Sequence, residues 1–331
     1  LRPNQYKKIL IIRLSSLGDI ILTTPLIRSL KKSYPGVALD YCVREEYADV
    51  LRLNPHINEL IIYTKQEARI AEIHEKIEAA GYDAIIDLQN NYRSTTLLKG
   101  IKRPVFKFKK HTFLKLLLVR FKLNLMSRLP QIPDRYARAF HHFQLDNEGL
   151  ELFTPDDVKT IIEPSDKIIG FCPGSRHYTK MWPFDYYIEL GEILKLHGYR
   201  VMVFGGKMET QLCKTIAELI PNAINAGNND DFYQTVANMR LCRAIVTNDT
   251  GLMHIAAALQ KPTIAMFGSS VREFGFTPYK TLNDVLEVET LRCRPCSHIG
   301  RATCPKGHFE CMMRLSPVAV YQNLSYLLSK S

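Results

Sequence analysis

The sequence predicts an α/β protein built of two doubly wound halves, each a parallel sheet flanked by helices. Three observations carry this. The 331 residues suffice for two domains of ordinary size, each with its own core. Short β-branched runs recur along the chain, separated by stretches long enough for one helix, which is the pattern of βαβ units. Near the middle a polar stretch, residues 154–165 with Pro155, Asp156, Asp157 and Pro164, interrupts that rhythm and predicts domains over 1–155 and 156–331.

In the first half, Lys8–Leu14 is a β-branched run suited to a buried parallel strand. The loop Ser15–Asp19 follows, then a helical apolar stretch, Ile20–Leu30, stopped by Pro35-Gly36. Val37–Val43, Leu60–Tyr63 and Ala84–Leu88 are the next strands; Glu45–Leu53 and Gln66–Ala80 are the helices, the second with Gly81 just past its end. The second half repeats the scheme. Strand Lys167–Cys172 leads through the loop Pro173–Trp182 to a helix opening at Pro183 and ending at Gly198. Strand Arg200–Phe204 precedes Gly205-Gly206 and a helix from about Glu209. Strand Ala244–Thr247 precedes Asp249-Thr250-Gly251, which opens a helix to Leu259; Thr263–Phe267 is a further strand. Two such halves facing each other would place a ligand cleft at the carboxyl ends of their strands.

Apolar residues make up 46% and charged residues 23%, which excludes disordered, collagenous and low-complexity classes. No uncharged apolar run reaches 18 residues, and Ile9–Ile12 is too short for a signal peptide, so a cytoplasmic location is expected. The formal charge of +11 points to an anionic partner. Much of it lies between Lys99 and Arg128, with ten basic residues and no acidic one, interleaved with leucines and Phe121. Such a segment reads as an anionic-membrane contact or as a solvated helix face.

Three loops follow strands and precede helices, where open α/β sheets bind ligands. In the first, Gly18 permits close backbone approach, and Asp19 is either a helix cap or an ionised carboxylate facing the cleft. It lacks both G-x-G-x-x-G and the Walker pattern. The second, Pro173–Pro183, mixes Gly174, Ser175 and Thr179 with Arg176 and Lys180, the parts that hold a phosphate; a solvated basic loop around a Trp182 core anchor is the alternative. In the third, Thr250 and Gly251 offer backbone N–H groups at a helix start, an anion site or simply a capped end, and His254 lies one turn in.

Together these loops resemble glycosyltransferase family 9, the ADP-heptose:lipopolysaccharide heptosyltransferases. The resembling stretches are Ile11–Ile20, Pro173-Gly174-Ser175 with Thr179–Pro183, and Asn248–His254, in the family's order. The resemblance implies a GT-B architecture, two Rossmann-like domains facing a central cleft, and inverting transfer without a catalytic metal or other cofactor. It implies Asp19 as general base, an ADP-heptose donor and a lipopolysaccharide core acceptor. Gly174, Ser175, Thr179, Lys180, Glu209, Asp249, Thr250, Gly251 and His254 would bind the donor: Lys180 its phosphates, Glu209 its ribose, Asp249 its sugar. Ser16, Gly18 and Arg93 would bind the acceptor. The basic segment, placed in the N-terminal domain, would touch the anionic inner membrane, and no nucleic acid is expected. The alternatives are a GT-B enzyme with another donor or acceptor, and a non-catalytic anionic-surface or nucleic-acid binder.

Cys293-x2-Cys296-x7-Cys304-x6-Cys311 forms a turn-rich cluster near the C-terminus. Four thiolates there could close a structural zinc site, with His298 and His308 as spare ligands. Free thiols, disulfides and an iron–sulfur cluster are the alternatives.

Overall fold

The computed structural model describes residues 6–64, 66–165 and 167–331. Its residues gather into two compact units. The first takes the described residues up to Lys110 together with Ile132–Phe153; the second takes His111–Gln131 and Thr154–Ser331. The passage at Phe153–Thr154 lies next to the polar stretch. The excursion of His111–Gln131 was not foreseen, and it corrects one placement: that part of the basic segment belongs to the second unit, not the N-terminal one.

The first unit carries a five-stranded sheet of β1 (Lys8–Ile12), β2 (Ala38–Arg44), β3 (Glu59–Tyr63), β4 (Ala84–Asp87) and β5 (Val105–Lys107), in the order β3-β2-β1-β4-β5. All pairings are parallel, with Ile9 opposite Leu39 on one side and Ala84 on the other. β1 is buried from Ile9 to Ile12, as its run of branched residues requires with helices on both faces. Leu10, Ile12 and Leu14 pack with Ile61, Ile77 and Ile85.

The sequence predicts one helix over Ile20–Leu30; the structure has two, Leu17–Ile21 and Thr24–Ser33. Pro25 lacks the N–H that continuity needs, and the hydroxyls of Thr23 and Thr24 donate to the carbonyls of Ile20 (2.7 Å) and Ile21 (2.9 Å). The Glu45–Leu53 helix is a tight turn over Glu45–Val50. Gly81 and Gly198 adopt φ of 65° and 80°, the left-handed geometry that ends a helix.

The second unit carries β6 (Ile168–Cys172), β7 (Arg200–Val203), β8 (Ile224–Asn225), β9 (Ala244–Asn248), β10 (Thr263–Met266) and β11 (Asn283–Leu286), in the order β11-β10-β9-β6-β7-β8. This sheet too is parallel throughout. β5, β8 and β11 are the strands the sequence pattern misses; the helices Tyr92–Leu97, Ile132–Ala139, Phe232–Arg240 and Pro317–Leu328 also went unread. Each of these strands is a short edge strand of two to four residues, too brief to establish a period.

Arg28 ties the first unit's last segment to its core. Its side chain is 7% exposed, with Nε 2.7 Å from Asp146 Oδ2 and Nη1 2.9 Å from Glu151 Oε2. The bonds from Arg28, against the opposing effect of burial, hold the Asp146 carboxyl well below the usual range. Arg28→Ala removes the buried cation that two partly buried carboxylates share, leaving Asp146 the half-exposed Lys32 and Glu151 only Asn54 and His56. It is expected to cost about 3–5 kcal/mol, measured by urea unfolding at neutral pH. Because the folded pKa of Asp146 is depressed, its contribution is present above its unfolded pKa and lost on acidification, so the difference between variant and wild type narrows below about pH 4.

Candidate active site

In the first sheet the chain reverses direction of travel between β1 and β4, so the loops after these strands share the topological switch point. Gln89, after β4, accepts the N–H of Leu14 with its side-chain oxygen (2.9 Å). Arg13, next after β1, donates through Nε to the Ser15 carbonyl and through Nη1 to the Leu88 carbonyl, both 2.8 Å. Its Nη2 lies 2.8 Å from Asp19 Oδ1. The second carboxylate oxygen of Asp19 accepts Ser16 Oγ at 2.8 Å and Ser16 N–H at 3.2 Å. Tyr136 donates to Oδ1 at 3.3 Å, and its ring lies beneath the Arg13 guanidinium. Asp19 is therefore not the N-cap; Ser16 is, and Asp19 closes the box from the helix's third position.

Burial disfavours the Asp19 charge, but the Arg13 charge and the Ser16 bonds outweigh it, and its pKa lies below the ordinary value. The carboxylate is ionised at neutral pH with its side chain 18% exposed. Gly18 is buried in the same turn, and Ser16 is exposed. Arg93 is exposed in the first turn of Tyr92–Leu97, at the same end of the sheet because β4 neighbours β1. Lys110 feels the charges of Arg13, Asp87 and Asp19; burial first, then Arg13, lower its pKa. Arg13, Gln89 and Tyr136 escaped the sequence reading. A charged residue directly after four buried apolar ones was the available signal for Arg13.

In the second sheet β6 lies between β7 and β9, so the loops after all three emerge side by side. Asn248, ending β9, donates to the Pro173 carbonyl (2.7 Å) and accepts the Trp182 N–H (3.0 Å), stapling both ends of the Pro173–Trp182 loop. Trp182 is 1% exposed, its indole N–H donating to the Leu315 carbonyl at 2.8 Å: the core anchor. Lys180 Nζ lies 2.6 Å from Asp249 Oδ2, which also accepts Ser270 Oγ at 2.6 Å. Burial raises the Asp249 pKa, but the Lys180 charge and the bonds from Lys180 and Ser270 bring it below the ordinary value.

Thr250 is the N-cap of the helix Gly251–Ala258, yet its side chain makes no cap bond. Its Oγ1 is buried and has no hydrogen-bond partner among the described residues. Simple capping therefore does not account for this residue, and an unused hydroxyl stands with the free N–H groups of a helix start near Lys180's partner Asp249. His254, 3% exposed, lies near enough to act on the Asp249 charge.

Glu209 Oε2 accepts the Gly206 N–H at 3.0 Å, and its Cγ lies 2.2 Å from where a Cβ on Gly174 would stand. Gly174→Ala is thus expected to displace Glu209 and weaken nucleotide affinity while shifting the melting temperature little, since only side-chain atoms of Glu209 stand where the Cβ would go. Calorimetric titration with ADP beside a thermal melt checks both. Ser175 is half-buried in the same loop, its Oγ accepting His177 N–H at 3.4 Å. Thr179 departs from its expected donor-binding role. Its hydroxyl, 1% exposed, donates to Ser269 Oγ (3.0 Å) and accepts the Arg301 N–H (2.8 Å), so it holds the loop.

Cys293, Cys296, Cys304 and Cys311 line one small cavity with His308, beside Thr179 and Arg294. All eight cysteines are free. Burial pushes the Cys311 thiol up to about 11, so it stays protonated at neutral pH. Among the described residues no three His, Cys, Asp or Glu side chains stand in an arrangement that holds a metal, and the structural-zinc expectation finds no support.

The model of glycosyltransferase family 9 (heptosyltransferase) matches residues 70–306. The chain belongs to this family. The enzyme is 27% identical to lipooligosaccharide heptosyltransferase 2 of Haemophilus ducreyi, over 97% of this chain and 99% of that one. Its fold is similar to that of the family 9 glycosyltransferase from Veillonella parvula (TM-score 0.80, 22% identity, 98% of each chain). It is also similar to that of the ADP-heptose heptosyltransferase II of Escherichia coli (TM-score 0.72, 24% identity, 98% and 99% covered). The enzyme is a glycosyltransferase of the GT-B fold class, as the three loops implied.

Proposed function

We propose that this glycosyltransferase moves a heptose from ADP-heptose to the lipopolysaccharide inner core, with inversion at the anomeric carbon and Asp19 as general base. The observation that carries the donor half is a group of anion-binding parts in the second unit: the Lys180 ammonium, the Gly251 helix start and the buried Thr250 hydroxyl, unpartnered among the described residues. One Lys180 donor is engaged by Asp249, which leaves two for phosphate oxygens. Ser175 and Gly174 bring further donors and close backbone approach, Glu209 takes the ribose hydroxyls, Asp249 the sugar, and His254 buttresses Asp249.

In the reaction the acceptor hydroxyl attacks the anomeric carbon and gives its proton to Asp19. The bond from that carbon to the β-phosphate oxygen breaks, and ADP leaves with its new charge on Lys180 and the helix start. These fixed positive charges supply what a leaving diphosphate needs, so turnover is expected to persist in EDTA. Ser16 and Gly18 place the acceptor, while Arg93 meets its anionic groups. Such an acceptor is lipid-borne, which places the enzyme at the cytoplasmic face of the inner membrane as a peripheral protein; no described helix is long and apolar enough to cross one.

The test is a transfer assay with ADP-heptose and core acceptors truncated before the first or before the second heptose, product configuration being read by NMR. The expected product inverts the donor's anomeric configuration. A retained configuration overturns the mechanism, and faster transfer from a UDP- or GDP-sugar overturns the donor assignment.

A further inference from the structure

We infer that residues 112–125 form a membrane-docking element that seats apolar side chains in an anionic bilayer surface. The inference deepens the reading of a lipid-borne acceptor by naming the surface that meets the lipid. Within this stretch Phe113, Leu116, Phe121, Leu123 and Leu125 are 68%, 54%, 62%, 55% and 58% exposed. Five large apolar side chains displayed in thirteen residues exceed the scattered exposure that soluble surfaces tolerate.

The display is held firmly from the inner side. Leu118 and Met126 are buried against Val271 and Phe274 of the second unit. The Lys122 ammonium donates to the carbonyls of Val119 (2.8 Å), Cys293 (3.2 Å) and Pro295 (2.7 Å). Asn124 Nδ2 donates to Glu273 Oε1 at 2.8 Å. The segment is thus amphipathic in three dimensions, with an anchored face and an apolar face turned outward.

Charge selects the occupant. Exposed Arg120 lies among the apolar group and exposed Arg128 just beyond it, within a run of ten basic residues and no acidic one from Lys99 to Arg128. A second copy of the chain would bring the same sign of charge to the contact. A nucleic acid would match the charge and leave the apolar side chains in water. An anionic lipid surface satisfies both, with headgroups for the guanidinium groups and the acyl boundary for the phenylalanines and leucines.

The experiment sediments the full-length protein with vesicles of phosphatidylcholine alone or mixed with phosphatidylglycerol. The variants are Phe113→Asp/Phe121→Asp and Leu123→Asp/Leu125→Asp, with ADP affinity as the check on folding. Wild type is expected to bind the anionic vesicles about tenfold or more tighter than the neutral ones, and each double variant to lose about tenfold or more at unchanged ADP affinity. Added salt is expected to weaken binding without abolishing it. Equal binding to both vesicle types, or variants that bind as wild type does, overturns the inference. So does displacement by millimolar inorganic phosphate, which would mark a small-anion site instead. None of these readouts uses the acceptor or turnover, so failure here leaves the transferase reading untouched, and failure of that reading leaves this one standing.

Discussion

Asp19→Asn is expected to lower turnover by about 10²- to 10⁴-fold, the range a general base contributes, while ADP affinity is unchanged. Asparagine keeps the shape of the side chain and an oxygen for Arg13, Ser16 or Tyr136, so the loss reports the missing base rather than a collapsed loop. Steady-state kinetics beside ADP titration separate the two; turnover equal to wild type would remove Asp19 from the mechanism. Arg13 trades base strength for readiness. By holding the carboxyl below its ordinary pKa it keeps Asp19 ionised at neutral pH, at the cost of weaker proton affinity. The acid limb that Asp19 imposes on kcat/KM is therefore expected below about pH 4, and Arg13→Met should move that limb upward. The stability that Asp19 contributes follows the same sign: present above its unfolded pKa, it is lost as pH falls through the lower folded value.

Lys180→Ala is expected to do two things that a second substitution can separate. It removes a donor to the leaving diphosphate, costing about 10²- to 10³-fold in kcat together with ADP affinity. It also leaves Asp249 charged, 11% exposed and without its cation, which costs about 3–5 kcal/mol of stability. Without Lys180, the burial that raises the Asp249 pKa is opposed only by the Ser270 bond and the His254 charge, so the pKa rises and the stability loss should shrink at acid pH, where the carboxyl protonates. Adding Asp249→Asn removes the stranded charge. Urea unfolding should then recover most of the lost stability, while calorimetry should show ADP affinity still impaired. Recovery of both would mean that Lys180 serves only to neutralise Asp249.

The parts of the fold that were legible in the sequence are those whose signal is local. β1 and β6 read as strands because a short apolar run buried on both faces needs no partner to be recognised. The helix ends at Gly81 and Gly198 were visible because left-handed backbone at those positions calls for glycine. The helix break at Thr23 was not, since hydroxyls bonding back to Ile20 and Ile21 compete with the helix only in this particular geometry. Among the site residues, Lys180 and Asp249 stood out by type and by position after a strand. Thr179 stood out for the same reason, yet the structure spends its hydroxyl on Ser269 and Arg301.

The sequence by itself determined the longer strands of each half, the three loops that follow strands, and the carboxylate and cations they carry. Each of these depends on a few neighbouring residues and their period. Only the tertiary structure decided which of them meet. The order β9-β6-β7 brings Gly174 against Glu209 and Lys180 onto Asp249. Tyr136, 117 residues from Asp19, joins its carboxylate, and Ser270 joins that of Asp249. His111–Gln131 leaves the sheet that precedes it and joins the second unit. Such pairings are set by strand order and by the burial of distant apolar surfaces against one another, and no local pattern encodes either.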